Sequence, residues 1–159
     1  MSTASQPRGL LTHLRLRRRD AHLEGRLAAI ERSQAVIEFD LDGTILDANA
    51  NFLDAFGCRL EDVRGRHHRM FVDADEAAGE GYREFWRALG RGEFLSGQFR
   101  RLRPDGREVW LQATYNPLFD DAGRPVRVVK FASDITAQKQ RDLDTGGQIA
   151  AIEQAMAVI

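Results

Sequence analysis

Adjacent imidazoles at His67 and His68 are the groups in this sequence most able to do chemistry. They stand in Gly65-Arg66-His67-His68-Arg69-Met70-Phe71, whereas His13 and His22 fall in the N-terminal stretch. A neutral imidazole can ligate iron, and its charge changes near neutral pH. The plainer use of such a pair is one ring bonded to backbone groups and the other exposed. Asp40, Asp42 and Asp47 crowd around an Asp-Gly pair, where aspartates first serve as turn and cap residues. A single cysteine, Cys58, excludes an intrachain disulfide and a cysteine-cluster metal site, and reads as a small side chain near a helix end. The sequence carries no glycine-rich phosphate loop, histidine–carboxylate metal spacing or nucleophile motif, so it points away from an enzyme. Arg15, Arg17, Arg18 and Arg19 form a basic block without a DNA-reading motif, and read as a solvated helix face.

The groups that would position these residues are strands. Phe94–Leu102, Glu108–Asn116 and Val126–Ser133 are apolar-rich runs separated by Arg103-Pro104-Asp105-Gly106 and by Asp120–Pro125. Pro presets φ, Asp tolerates turn geometry and Gly supplies positive φ, so the three runs read as an antiparallel meander. In the middle run Val109, Leu111, Ala113 and Tyr115 share one face, and Trp110, Gln112, Thr114 and Asn116 the other. Both faces carry large apolar groups and are expected to be covered, with one walling a pocket.

Upstream, Gly9–Ser33 is helical in pattern. Leu16, Leu23, Leu27 and Ile30 form a stripe at spacings of seven, four and three. The stripe packs on its own sheet or pairs with a partner helix. Ala35–Phe39 and Thr44–Leu46 flank Asp40-Leu41-Asp42-Gly43 as a hairpin. Asp47–Phe56 reads as a helix closed by Gly57, Leu60–Val63 as one further turn, Asp73–Glu80 as an acidic loop and Tyr82–Leu89 as a regular helix. After Thr136 a polar helix, Ala137–Leu143, is expected to break at Gly146-Gly147 and resume over Ile149–Ile159.

With 159 residues, 43% of them hydrophobic, the chain suits one domain plus appendages. A net charge of −1 gives no general attraction to nucleic acid or anionic membrane. No apolar run reaches the roughly 20 residues that span a bilayer, and none resembles a signal peptide, so the expected setting is soluble and cytoplasmic. Residues 28–37 (AAIERSQAVI) and 150–159 (AAIEQAMAVI) agree at seven of ten positions. The repeat suggests the first of two tandem domains. The expected division is 1–33 as an N-terminal helical cap, 34–136 as the globular domain, and 137–159 as a linker helix towards a second such domain.

From about Ala35 to Thr136 the order of Phe39-Asp40-Leu41-Asp42-Gly43, Asp47-Ala48-Asn49, Gly65, Pro104-Asp105-Gly106, Trp110 with Pro117, and Asp134-Ile135-Thr136 resembles a PAS domain. The implied fold is α+β: a five-stranded antiparallel sheet with short helices on one face, flanked by an N-terminal amphipathic helix and a C-terminal linker helix. Gly65–Phe71, Phe85-Trp86-Arg87-Ala88-Leu89, Gly92-Glu93-Phe94 and Tyr115-Asn116-Pro117 are similar to cytoplasmic PAS domains of methyl-accepting chemotaxis transducers. Tandem-PAS receptors linked to biofilm dispersal are the nearer likeness, and the flavin-binding aerotaxis transducer a more distant one.

The resemblance implies a pocket lined by Asn51, His67, His68, Trp86, Leu111, Ala113, Tyr115, Lys130 and Ala132. Three occupancies stay open: FAD, haem with His68 or His67 as axial ligand, or no cofactor. For flavin, Trp86 matches a tryptophan of the aerotaxis transducer, while that protein's arginine–histidine pair reads Val72-Asp73 here. The implied function is a sensor of redox, oxygen or a small ligand that signals through Asp134, Ile135 and Thr136 to the following helix. The alternative is a cofactor-free interaction module of a histidine kinase or cyclic-di-GMP enzyme. The expected partners are a second copy through Leu16, Leu23, Leu27 and Ile30, and downstream PAS or receptor domains, with no nucleic acid or membrane.

Overall fold

The computed structural model describes residues 8–157, with side chains from Arg17 onward. It divides into a helical unit up to Ser33 and a second unit from Gln34. The first holds α1 (Arg8–Ser33), on which Leu23 and Leu27 are 54% and 59% exposed. The side chain of Leu16 lies outside the described residues.

The second unit runs β1 (Ala35–Phe39), β2 (Ile45–Ala48), α2 (Ala50–Phe56), α3 (Leu60–Val63), a 3-10 turn (His68–Phe71), α4 (Ala74–Ala78), α5 (Glu80–Gly90), β3 (Leu95–Leu102), β4 (Glu108–Phe119), β5 (Pro125–Asp134) and α6 (Thr136–Ala157). Its five strands form one antiparallel sheet in the order β2-β1-β5-β4-β3, the expected α+β architecture. Register decides what faces inward. Lys130 lies opposite Ile37 on one side and Tyr115 on the other, Ala132 opposite Ala35 and Ala113, and Phe99 opposite Leu111. Facing partners share a sheet face, so these residues point together at the short helices. Phe52 and Phe56 of α2 stack at 4.4 Å and close on Phe71, and Leu89 joins them in the core. Each of these buried side chains contributes about 2 kcal/mol by leaving water.

Several boundaries move, each for a local reason. The helix expected from Asp47 begins at Ala50, because Asp47 and Ala48 pair with β1 and Asn49 caps the helix. Asn49 Oδ1 accepts from Phe52 N at 3.0 Å and from Val36 N at 2.9 Å, so one side chain ties α2 to β1. The acidic loop contains α4, because Asp73 accepts from Asp75 N at 3.0 Å while Asp75 and Glu76 occupy the positive first turn. β4 continues through Pro117 to Phe119, still paired with β5. The expected break at Gly146-Gly147 is absent. Glycine weakens a helix by about 1 kcal/mol but clashes with nothing in it, and α6 runs straight through.

The segment that carries the histidines is stitched to the hairpin. Ile45 N donates to Arg66 O at 2.8 Å and His68 N to Gly43 O at 2.9 Å. Asp42 keeps the expected turn role, accepting from Thr44 N at 2.9 Å. Gly43 adopts φ +90, and a Cβ there would sit 2.7 Å from His67 Nε2 and 2.9 Å from Trp86 Cε2. Gly43→Ala is therefore expected to lose about 2–4 kcal/mol of stability in urea denaturation. An unchanged midpoint would refute this close packing.

Candidate functional site

The 3-10 turn starts where His67 Nδ1 accepts from Arg69 N at 3.0 Å, and this turns the next ring inward. His68 is 1% exposed. Its Nδ1 shares a hydrogen bond with the Tyr82 hydroxyl at 2.9 Å, and its Nε2 with the Tyr115 hydroxyl at 3.2 Å. A neutral imidazole has one donor and one acceptor nitrogen, so one tyrosine donates to the ring and the other accepts from it. Phe39, Trp86 and Tyr115 meet the ring edge to face at 5.3, 5.5 and 5.8 Å, and Tyr82 and Phe85 lie nearly parallel to it. The imidazole is thus fully partnered inside an aromatic cage.

Two cationic side chains share this interior. Lys130 is 1% exposed, with Nζ 4.8 Å from the centre of the Tyr115 ring. No carboxylate or carbonyl among the described residues is hydrogen-bonded to that nitrogen. Arg101, 3% exposed, donates from Nη1 to Glu76 at 3.1 Å and to Arg100 O at 2.7 Å. Its guanidinium lies 5.1 Å over Phe99, and its buried Nε has no partner. Burial, reinforced by the positive charges of Lys130 and Arg101, drives the His68 pKa well below its ordinary value. Burial does the same to Lys130, with Arg101 adding to the effect, and it pushes Tyr115 up to about 12.

The structure therefore brings together His68, Trp86, Leu111, Ala113, Tyr115 and Lys130 from the sequence-derived lining, all of them buried. Asn51 lies apart, donating to Gln34 O at 3.0 Å. His67 sits on the rim, with Nε2 at 2.6 Å from Asp42 O. Sequence reasoning missed Tyr82, Arg101 and Glu76. Two signals were present: Phe99 and Arg101 alternate with Arg100 along β3, and Tyr82, Phe85, Trp86 and Leu89 follow helical spacing on α5.

Two clefts flank Tyr82. One, of about 360 Å³, is bordered by Glu76, Gly81, Tyr82, Phe85, Phe99 and Arg101. The other, of about 380 Å³, is bordered by Asp42, His67, Arg69, Tyr82, Arg83 and Trp86, among others. Haem does not fit these residues as packed, because both His68 nitrogens are engaged and its cage leaves no face for iron. Flavin does not fit either. The positions that would wall one side of a flat ring, Leu111, Ala113, Tyr115 and Ala132, are packed into the core and at most 2% exposed. Among the described residues no group of three or more His, Cys, Asp or Glu side chains could hold a metal ion.

Comparison with known proteins gives a consistent result. The family model described as PAS fold matches residues 31–140. The Biofilm dispersion protein BdlA of Pseudomonas aeruginosa is 45% identical over 133 residues, which cover 84% of this chain. The chain spans 32%, about a third, of that relative's length. Among solved structures, the PAS domain of a protein from Colwellia psychrerythraea aligns with a TM-score of 0.62 at 23% identity, covering 72% of this chain and 98% of its own. An RNA-binding Light-Oxygen-Voltage receptor aligns at 0.64 with 24% identity, covering 98% of this chain and 42% of its own. At these identities the two structures speak for the fold alone.

The caged basic groups make stability depend on pH. A histidine held neutral by burial binds fewer protons folded than unfolded, so stability falls as pH drops through its ordinary 6.5. The limiting slope is about 1.4 kcal/mol per pH unit, and His68→Gln should flatten it in denaturation series between about pH 7 and 5.5. Lys130 likewise favours the unfolded state below its ordinary 10.5. Lys130→Met is expected to raise stability at neutral pH by about 1–3 kcal/mol and to remove the gain seen from pH 8 to 10. A less stable Met variant would show that the ammonium has a partner the geometry lacks.

Proposed function

Because the chain belongs to the PAS fold family, we propose that it is the ligand-sensing module of a signalling receptor involved in biofilm dispersion, with α6 as its output. The observation that carries this reading is a bonded path from the buried cluster to the exit helix. Tyr115 holds His68, and the same strand, β4, carries Trp110 at its other end. Trp110 O accepts from Ile135 N at 2.8 Å, and Trp110 N donates to Thr136 Oγ1 at 3.0 Å. Asp134 Oδ1 accepts from Thr136 N at 2.9 Å and from the Thr136 hydroxyl, which closes a clasp on the first turn of α6. A ligand that reorders the tyrosine–histidine bonds shifts β4 and loosens or tightens that clasp.

The sequence identity to a biofilm dispersion protein agrees with the resemblance read from the motifs, and supports placing this module in a chemotaxis-type receptor. The role proposed is sensory, and it needs no catalysis. No described helix is long and apolar enough to cross a membrane. In this reading the module works in the cytoplasm and hands its signal to a following PAS or receptor domain. The exposed Leu23 and Leu27 favour α1 as the contact between two copies, together with Leu16 and Ile30 of the same stripe.

Two measurements bear on this. Hydrogen exchange over the first turn of α6 is expected to quicken by about tenfold in Thr136→Val, and to change in His68→Gln as well. Exchange that responds to neither change would break the proposed path. Sedimentation should find dimers of the full chain and monomers of Leu27→Glu, and a monomeric wild type would remove α1 from the dimer model.

A further inference from the structure

The cleft beside Arg101 has the makings of a site for one kind of molecule. Arg101 is almost wholly buried, yet its guanidinium is under-used. A guanidinium has five N–H donors in a fork that matches the two oxygens of a carboxylate. Here Nη1 meets Glu76 through a single carboxylate oxygen at 3.1 Å and the Arg100 carbonyl at 2.7 Å, and the buried Nε has no hydrogen-bond partner. An unpaired buried donor is costly, and a bound acceptor that reaches the guanidinium would relieve that cost. Glu76 is a weak tenant. Its side chain is 47% exposed and it rides on the five-residue helix α4, so it can withdraw into water.

The walls around that guanidinium are apolar. Phe85 and Phe99 meet edge to face at 6.2 Å, and Tyr82 lies within 4° of parallel to Phe85. On the rim, Gly81 leaves open space where a side chain would stand. The volume, about 360 Å³, suits a single ring or a short chain. Charge favours a monoanion: Arg101 is the cation that borders the cleft, Glu76 is the carboxylate that answers it, and the exposure of Glu76 sets a negative charge where a polyanion would have to enter. Tyr82 joins this cleft to the cluster, because its ring walls the one and its hydroxyl bonds His68 in the other.

We propose that this cleft binds a small organic monocarboxylate with an aromatic or short aliphatic body, its carboxylate displacing Glu76 to take a two-point hold on Arg101 and its body lying against Tyr82, Phe85 and Phe99. This names the ligand class for the sensory reading above, and rests on that reading only for the consequence of binding.

The test uses the full chain and three acids, benzoate, phenylacetate and hexanoate, with benzamide, phenylacetamide and hexanamide as neutral matches. Calorimetric titration should find binding of at least one acid, with its amide weaker by about tenfold or more. Arg101→Gln should lose the acid by at least about tenfold, and Glu76→Gln, which removes the competing carboxylate, should bind it several-fold more tightly. The proposal is overturned if none of the acids binds at millimolar concentration, if the amides bind equally, or if Glu76→Gln weakens binding. Should Arg101→Gln fail to fold, the acid-to-amide ratio and Glu76→Gln decide alone. Hydrogen exchange of α6 separates the two ideas. Acid binding that leaves α6 unchanged keeps the site and removes its link to output. An exit helix that answers to His68→Gln in a protein blind to all three acids keeps the sensor and removes the site.

Discussion

A polar ring inside an apolar core must find partners for both nitrogens, and much of this structure follows from that requirement at His68. The partners come from far along the chain, Tyr82 on α5 and Tyr115 on β4. Two hydrogen bonds therefore fix a helix and a strand against the same 3-10 turn. That turn must itself be held, which is done by backbone bonds to the β1–β2 hairpin and by the close seat of Gly43 under His67 and Trp86. Each of these bonds contributes about 1 kcal/mol when made, and more is lost when a buried partner is left single. The geometry is therefore firm around the ring.

The same interior tolerates an electrostatic burden. Three basic side chains, His68, Arg101 and Lys130, are buried, while Glu76 is half in solvent. Apolar replacements of similar volume would favour folding, so the amine and guanidinium cost the domain stability, which accords with the ligand site proposed at Arg101. Aromatic faces soften the burden: Lys130 sits over Tyr115 and Arg101 over Phe99.

Much of the fold was legible in the sequence because its strongest signals are local. The meander could be read from turn residues and period-two alternation, and Asp40–Gly43 from hairpin chemistry. The inward face of β4 needed only the register that relatives share. What stayed hidden depends on distance. Nothing near His68 announces Tyr82 or Tyr115, and nothing near Glu76 announces Arg101, twenty-five residues on. Asn51 was placed in the lining by the resemblance, but its amide donates to the Gln34 carbonyl and ties α2 to the residue before β1. The glycine pair in α6 misled for a different reason: low helix propensity was read as a break, whereas propensity only weighs against a helix and does not forbid it.

That pair has a mechanical consequence. None of the described residues of α6 is buried, so beyond its clasp at Trp110 the helix is held by little more than its own hydrogen bonds. Gly146 and Gly147 subtract about 2 kcal/mol from those bonds near the midpoint. The half next to the clasp can carry a twist, while the half beyond the glycines keeps step only when its far end is gripped. In the proposed signalling role such a rod is a slipping clutch: torque that enters at the clasp passes residue 147 in proportion to how firmly the far half is held.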